Sequence, residues 1–224
     1  MSLKTRSLQE EQMDAADLPL ETYAALLADL AKANRLTGSA RITLSFIERA
    51  ARGRPFRLLD VGFGQGDMLR TIARRFPGSE LVGVDLNPRS EAVARPLTPP
   101  DLPIRYVTGD YADLAHEPWD LIISNLVAHH MTHDQLVAFL RFMDRHARMG
   151  WLVNDPHRHA LSHAGYPVLA RAMRWHRIVR EDGTLSIARS YRPDEWPPIL
   201  AEAGVTTARV FRAFPFRLCV EAIR

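Results

Sequence analysis

Three glycines spaced two apart, Gly62, Gly64 and Gly66, separate an apolar run from a helical pattern. Leu58, Leu59, Asp60 and Val61 read as a buried strand. Met68, Leu69, Ile72, Ala73 and Phe76 then recur at helical spacing, and Pro77-Gly78 ends the pattern. Glycine has no Cβ, so a glycine turn between strand and helix lets main chain approach a ligand closely. Nineteen residues after Gly66, a second apolar run (Leu81–Val84) ends in Asp85. A carboxylate at that position accepts hydrogen bonds from a ribose diol. The spacing predicts a nucleoside-containing cofactor. It argues against a dinucleotide, because Asp67 stands where that fingerprint has its third glycine, and a carboxylate repels a nearby diphosphate.

A second set of chemical groups lies further on. Of nine histidines, His129, His130 and His133 follow the fourth predicted strand, and His157, His159 and His163 follow the fifth. In a parallel sheet both strand ends open on one crevice. Imidazole is the usual base near neutral pH. His129, His130 and His159 are therefore the candidate bases, with His129 the better placed to face substrate. His133, Asn154, His157 and Tyr166 are candidate substrate contacts. No H-E-x-x-H helix or cysteine pair accompanies them, so no metal is expected.

These groups need a scaffold to hold them. Residues 1–17 read as a flexible terminus. Residues 18–36 form a helix with Tyr23, Leu26, Leu27 and Leu30 on one stripe, stopped near Gly38. Ser39 caps a second helix carrying Ile42, Phe46, Ile47 and Ala50, which ends at Gly53. After the second strand, Asn87-Pro88 starts a short helix, and Arg95–Pro103 reads as a proline-rich loop. Ile104–Val107, Leu121–Leu126 and Trp151–Val153 are the third, fourth and fifth strands. Thr132 and Gln135 form a capping box before a helix with Leu136, Val137, Leu140 and Met143. The alternation of strand and helix predicts an α/β fold, a mainly parallel sheet with helices on both faces. Residues 156–190 exceed an ordinary connection and carry Leu161, Tyr166, Val168, Leu169, Met173 and Trp175, with a turn expected at Glu181-Asp-Gly183. They read as a lid or substrate wall. Residues 192–204 return to helix, and Val205–Phe211 and Leu218–Ile223 read as two strands joined around Pro215.

The pattern D-x-G-x-G-x-G over Asp60, Gly62, Gly64 and Gly66 resembles the first motif of class I S-adenosylmethionine (SAM) methyltransferases. "LVGVDLNP" (81–88), with Asp85 and Leu86, resembles their second motif. "VTGDYADL" (107–114), with Asp110 and Tyr111, resembles the third, where an acid binds the adenine amino group. "WDLIISNLVAHHM" (119–131), with Asn125 and Leu126, looks like the fourth, a strand ending toward the methyl group. The resemblance covers about residues 55–150. Phe63 departs from the small residue or cysteine usual there, which implies a change of shape and retained binding. SAM carries a sulfonium and an amino-acid tail without phosphate, which suits Asp60, Asp67, Asp85 and Asp110. Asp67 fits a helix cap equally well. The resemblance implies a Rossmann-like, seven-stranded, mainly parallel sheet with an antiparallel last strand. The N-terminal helices (18–53) and the insert after strand five (156–190) would act as a cap on a single domain spanning 18–224. It also implies that Arg35 reaches the SAM carboxylate, although a helix-end arginine favoured by the helix dipole explains that residue as well. "NRLTG", the "ND" after strand five and "FPFRLCV" bear a weaker resemblance to bacterial methyltransferases of quinone and aromatic polyketide pathways, hence secondary metabolism.

Composition narrows the field further. The chain has 224 residues, 46% hydrophobic and 25% charged, as in an ordinary globular domain. No run of about 18 apolar residues is present, so no membrane span is expected. Residues 1–16 lack the apolar core of a leader. The one cysteine, Cys219, fits a reducing cytoplasm and reads as an inert buried thiol. Net charge is 29 − 26 = +3 with no block of like charges, so nucleic acid is not the expected partner. The expected activity is methyl transfer from SAM to an oxygen or carbon of a small, hydrophobic aromatic acceptor, by a monomer or homodimer. Amino-group methylation is disfavoured because Leu-Val follows Asn125 in place of Pro-Pro-aromatic. The alternatives are a methyltransferase acting on RNA or protein, and a non-catalytic SAM-binding module.

Overall fold

The computed structural model describes residues 3–224. Seven strands form one sheet in the order β3-β2-β1-β4-β5-β7-β6. They are β1 (Arg57–Val61), β2 (Glu80–Asp85), β3 (Ile104–Thr108), β4 (Trp119–Asn125), β5 (Ala147–Pro156), β6 (Arg209–Ala213) and β7 (Arg217–Ile223). β1 to β5 pair in parallel, and β7 inserts antiparallel between β5 and β6. The expected Rossmann-like sheet with a reversed last strand is the observed one.

Alternation along each strand divides the core into two layers. Leu59, Val61, Val84, Ile122 and Val153 face α5 (His133–His146) and α8 (Trp196–Ala203). Leu58, Leu81, Leu121, Ile123 and Leu152 face α2 (Ser39–Ala51) and α3 (Asp67–Arg75). Period-2 patterning in buried parallel strands produces this two-sided burial. The capping box at Thr132 and Gln135 starts α5 as expected.

α1 (Leu20–Leu36) packs with α6 (Ala160–Ala172) and α7 (Arg177–Arg189) through Leu26, Ala33, Ala170, Trp175 and Val179. The insert is thus a helix pair seated on the N-terminal helix. The turn expected at 181–183 does not form, because Gly183 lies inside α7. A Cβ there would meet the Tyr166 hydroxyl at 2.2 Å, so this glycine serves close helix packing. The proline-rich loop is likewise shorter than expected. α4 (Pro88–Leu97) continues through Pro96, and the Thr98 hydroxyl donates to Ala94 O at 2.8 Å to complete its last turn.

The terminus expected to be flexible is instead held against the molecule over residues 3–17. Ser7 N donates to Ala188 O at 3.0 Å. Arg6 Nη2 donates to His129 O and Met131 O at 2.6 and 2.8 Å. Asp182 accepts from the main-chain N–H of Gln12 and Met13 at 3.1 and 2.9 Å. Polar composition suggested disorder, but buried guanidinium and carboxylate groups elsewhere in the chain supply the partners this strap needs.

Candidate active site

The carboxyl ends of β1 to β4 converge on a cavity of about 600 Å³. Its floor follows from the glycine turn after β1. Gly62, Gly64 and Gly66 all have positive φ, at 78°, 55° and 74°. Added Cβ atoms would meet Val127 Cγ2 at 2.3 Å from Gly62 and the Tyr106 hydroxyl at 2.3 Å from Gly66. Both conformation and space require glycine at these two positions. Phe63 is accommodated by Gly83, whose absent Cβ would lie 2.7 Å from the Phe63 ring, and Phe63 stacks on Tyr106 with centroids 4.8 Å apart.

Asp85 ends β2 and binds the loop directly. Its Oδ2 accepts from Gly64 N at 3.0 Å and its Oδ1 from Asn87 N at 2.9 Å. The Ser90 side chain also bonds this carboxylate, which as an acceptor of about four hydrogen bonds can take a further donor. Asp60 is 2% exposed, and its Oδ1 has no partner. Burial, with Asp67 and Asp85 adding to it, pushes the Asp60 carboxyl up to about 8. Burial also raises Asp67 and Asp85. Burial is the largest cause in all three, so these carboxyls lie in a desolvated part of the cavity.

Among the residues expected at the cofactor, Arg35, Asp60, Gly62, Gly64, Asp85, Leu86, Tyr111, Asn125 and Leu126 line the cavity. Gly66 lies behind it as the N-cap of α3. Asp110 is exposed and caps the turn Tyr111–Leu114 through Ala112 N, beside the lining residues Gly109 and Tyr111. Asn125 Oδ1 accepts from Thr43 Oγ1 at 2.9 Å, while its Nδ2 is buried without a partner. The orphan acceptor of Asp60 and orphan donor of Asn125 complement an ammonium and a carboxylate. An amino-acid tail carries both, so the site fits SAM.

The cavity is also lined by Glu11, Met13, Asp14, His129, His130 and Met131. His129 is 2% exposed. Its Nδ1 meets Asp155 Oδ1 at 2.9 Å and its Nε2 lies 3.5 Å from Glu11 Oε1. Burial favours the neutral ring, but Asp155 and Glu11 outweigh it and push the pKa up to about 9. Burial opposes the Glu11 charge too, yet His129 holds that carboxyl down at about 2. An imidazolium donating from both nitrogens has no lone pair for a substrate proton. The expectation that His129 is the better-placed base is therefore corrected. His130 is more open, with Nδ1 3.0 Å from Asp14 Oδ2 and Nε2 3.8 Å from Glu11 Oε2.

The structure does not bring the remaining candidates to this cavity. His159 caps α6 through Leu161 N and stacks on Phe216, so its assignment as a base is corrected. His133 is exposed and pairs with Glu202 at 2.8 Å. His157 is buried beside His159. Tyr166 donates to Val179 O and packs on Trp175. Asn154 is fully buried, and its Nδ2 donates to Ser39 Oγ and Asn125 Oδ1, both at 3.1 Å. These four expected substrate contacts fall to structural roles because strand-end proximity in sequence does not fix side-chain direction. Cys219 is buried, and burial raises its thiol to about 12, the inert state expected.

Several lining residues were not anticipated. Tyr23, Leu27 and Leu30 read as core, yet they face the cavity from α1. Glu11, Met13 and Asp14 lie in a segment without periodic pattern, so nothing local marked them.

Residues 58–150 match a family profile described as a methyltransferase domain. Over those residues the chain is similar to methyltransferases. Trans-aconitate 2-methyltransferase of Mycobacterium tuberculosis is 30% identical over 139 residues, covering 60% of this chain and 51% of that protein. The ribosomal RNA small subunit methyltransferase C of Stutzerimonas stutzeri is 32% identical over 136 residues, covering 60% and 40%. The chain thus spans about half or less of these relatives. The plantazolicin methyltransferase BpumL, solved with SAH, shares the fold with a TM-score of 0.67 at 15% identity, covering 92% of this chain and 96% of its own. Among the described residues, no helix is long and apolar enough to cross a membrane.

Proposed function

We propose that the protein transfers a methyl group from SAM to an oxygen or carbon of a small, hydrophobic aromatic acceptor. One observation carries the reading: the glycine–aspartate floor and the Glu11–His130 end belong to one cavity of about 600 Å³. That volume is typical of small-ligand sites. Bound SAM supplies an electrophilic methyl on its sulfonium. The chain's part is to hold donor and acceptor in line with water excluded, which is worth roughly 7–11 kcal/mol in favourable cases. Asp85 takes the ribose diol, Asp60 the ammonium, and Asn125 with Arg35 the carboxylate. Met13, Leu27, Leu30 and Met131 give the acceptor an apolar wall, and His130 meets its polar edge. His129 is a positioning residue that fixes Glu11 and the turn carrying His130. Residues 18–224 act as one domain, as a monomer or homodimer, in the cytoplasm and in secondary metabolism.

By name, one relative acts on a small acid and the other on ribosomal RNA. Both match the same share of this chain, so their names do not choose the acceptor. A cavity of about 600 Å³ and a net charge of only +3 favour the small molecule. Transfer of tritiated methyl to phenolic compounds, RNA and protein decides it. Label is expected in the phenolic fraction, and label in RNA alone would replace this reading.

A further inference from the structure

We infer that Glu11, His129 and His130 form a binding site for one divalent transition cation of the zinc class at the acceptor end of the cavity. Their three donor atoms lie within 4.8 Å of one another. Nε2 of His129 is 3.5 Å from Glu11 Oε1, and Nε2 of His130 is 3.8 Å from Glu11 Oε2. Ligands about 2.0–2.2 Å from a tetrahedral ion stand ~3.3 Å apart, so the donor atoms, now within 4.8 Å of one another, must draw together by up to about 1.5 Å to complete the set. Two imidazoles and one carboxylate are a donor set for zinc and its neighbours, with open positions left for water or substrate.

The surroundings support the assignment independently. Each imidazole presents its Nδ1 edge to a carboxylate, His129 to Asp155 at 2.9 Å and His130 to Asp14 at 3.0 Å. That outer partnership orients an imidazole so that Nε2 can ligate. The carbonyls of residues 129–131 are gripped by Arg6 and Arg189, which fixes the turn carrying both rings. Ser186 Oγ donates to Glu11 Oε1 at 2.8 Å, so Oε2 is the freer ligand atom. Arg189 Nε stands 3.9 Å from Oε1, and its N–H groups are directed to carbonyls. Uptake displaces the Nε2 proton of His129 to solvent and leaves the Nδ1 contacts in place. All three ligands line the cavity, so the open positions face the acceptor.

The chemical consequence deepens the proposed function and rests on it. A hydroxyl oxygen bound to such an ion ionises more readily and is held in place. The ion would also let a pole rich in carboxylates accept an anionic oxygen. The acceptor class narrows to molecules with a hydroxyl or carboxylate able to reach the ion, and methylation falls on oxygen.

The test uses the full chain after dialysis against a chelator. Zn²⁺ is titrated by calorimetry, and Co²⁺ by its visible absorption. One equivalent per chain is expected, with the intense band of a low-coordinate cobalt site. Glu11→Gln and His130→Ala should each weaken uptake about tenfold or more, and Asp14→Asn less. His130 is partly exposed, so its variant is expected to fold, and circular dichroism checks this. No band, or equal affinity in wild type and both variants, would overturn the site. S-adenosylhomocysteine binding is measured in parallel. Its loss with metal uptake intact would count against the cofactor reading alone, and the reverse against the metal site alone.

Discussion

Two parts of the cavity lining are built by different means. The cofactor end comes from short stretches at consecutive strand ends: Asp60 with the glycines, Asp85, and Asn125. Parallel pairing of β1 with β2 and β4 brings them together whatever else the chain does. The acceptor end depends on a strap. Glu11 meets His129, 118 residues later in the chain, and that meeting rests on Arg189, Arg6 and Asp182 holding residues 3–17 in place. A pole made of strand ends is secured by the sheet itself. A pole made of a strap is secured by a few ionic contacts, so substitutions should separate the two.

The largest effect is expected from Asp85→Ala. It removes the acceptor for the ribose diol and the partner of Gly64 N. Hydrogen bonds to a charged group contribute about 1.5–3 kcal/mol each, so S-adenosylhomocysteine affinity should fall on the order of 100-fold or more by calorimetry. Unchanged affinity would break the comparison at its first pole. Next is Arg189→Met. Arg189 is 7% exposed and donates to the carbonyls of Gln9, His129 and His130. Stability should drop by about 2–4 kcal/mol in denaturant unfolding. Amide exchange over residues 3–17 should quicken while cofactor affinity stays within about threefold. Equal losses at both poles would show that the strap and the sheet edge are one unit.

The contrast also explains what could be read before folding. The mainly parallel sheet, the glycine turn and Asp85 follow from alternation and spacing, and the reversed last strand is implied by the family resemblance. The roles of the histidines do not follow. His129 and His159 are both near strand ends in sequence, yet one is sealed between Asp155 and Glu11 and the other caps α6. Partners over a hundred residues away decide such matters, and no local pattern encodes them. Gly183 teaches the same lesson: in sequence it signals a turn, and in the fold it makes room for Tyr166.

A smaller effect tests the electrostatics of the cofactor end. Asp60 is raised from its ordinary value near 3.8 to about 8 by burial, then by Asp67 and Asp85. Its neutral form is therefore favoured in the folded protein. The stability it contributes is full below the unfolded value and is lost as pH rises through about 8. A ligand ammonium reverses the balance, so S-adenosylhomocysteine binding at pH 7 should release a fraction of a proton. Calorimetry in buffers of different ionisation enthalpy measures that fraction. Asp60→Asn should abolish the release and flatten the fall in Tm between pH 5 and 8. Proton uptake on binding would contradict a buried, neutral Asp60 that takes the ammonium.

The smallest effects belong to the histidines outside the cavity. His159→Ala removes an N-cap on α6, which costs about 0.5–2 kcal/mol. His133→Ala should do less. Its pair with Glu202 lies between side chains 53% and 52% exposed, and exposed pairs are worth about 0–1 kcal/mol. Methyl transfer by the His133 variant should stay within about twofold of wild type on the acceptor that the tritium screen identifies. A tenfold loss there, with Tm unchanged, would place His133 at the substrate after all. The acceptor end would then extend beyond the strap to the first turn of α5, and the division between a sheet-held pole and a strap-held pole would need a third member.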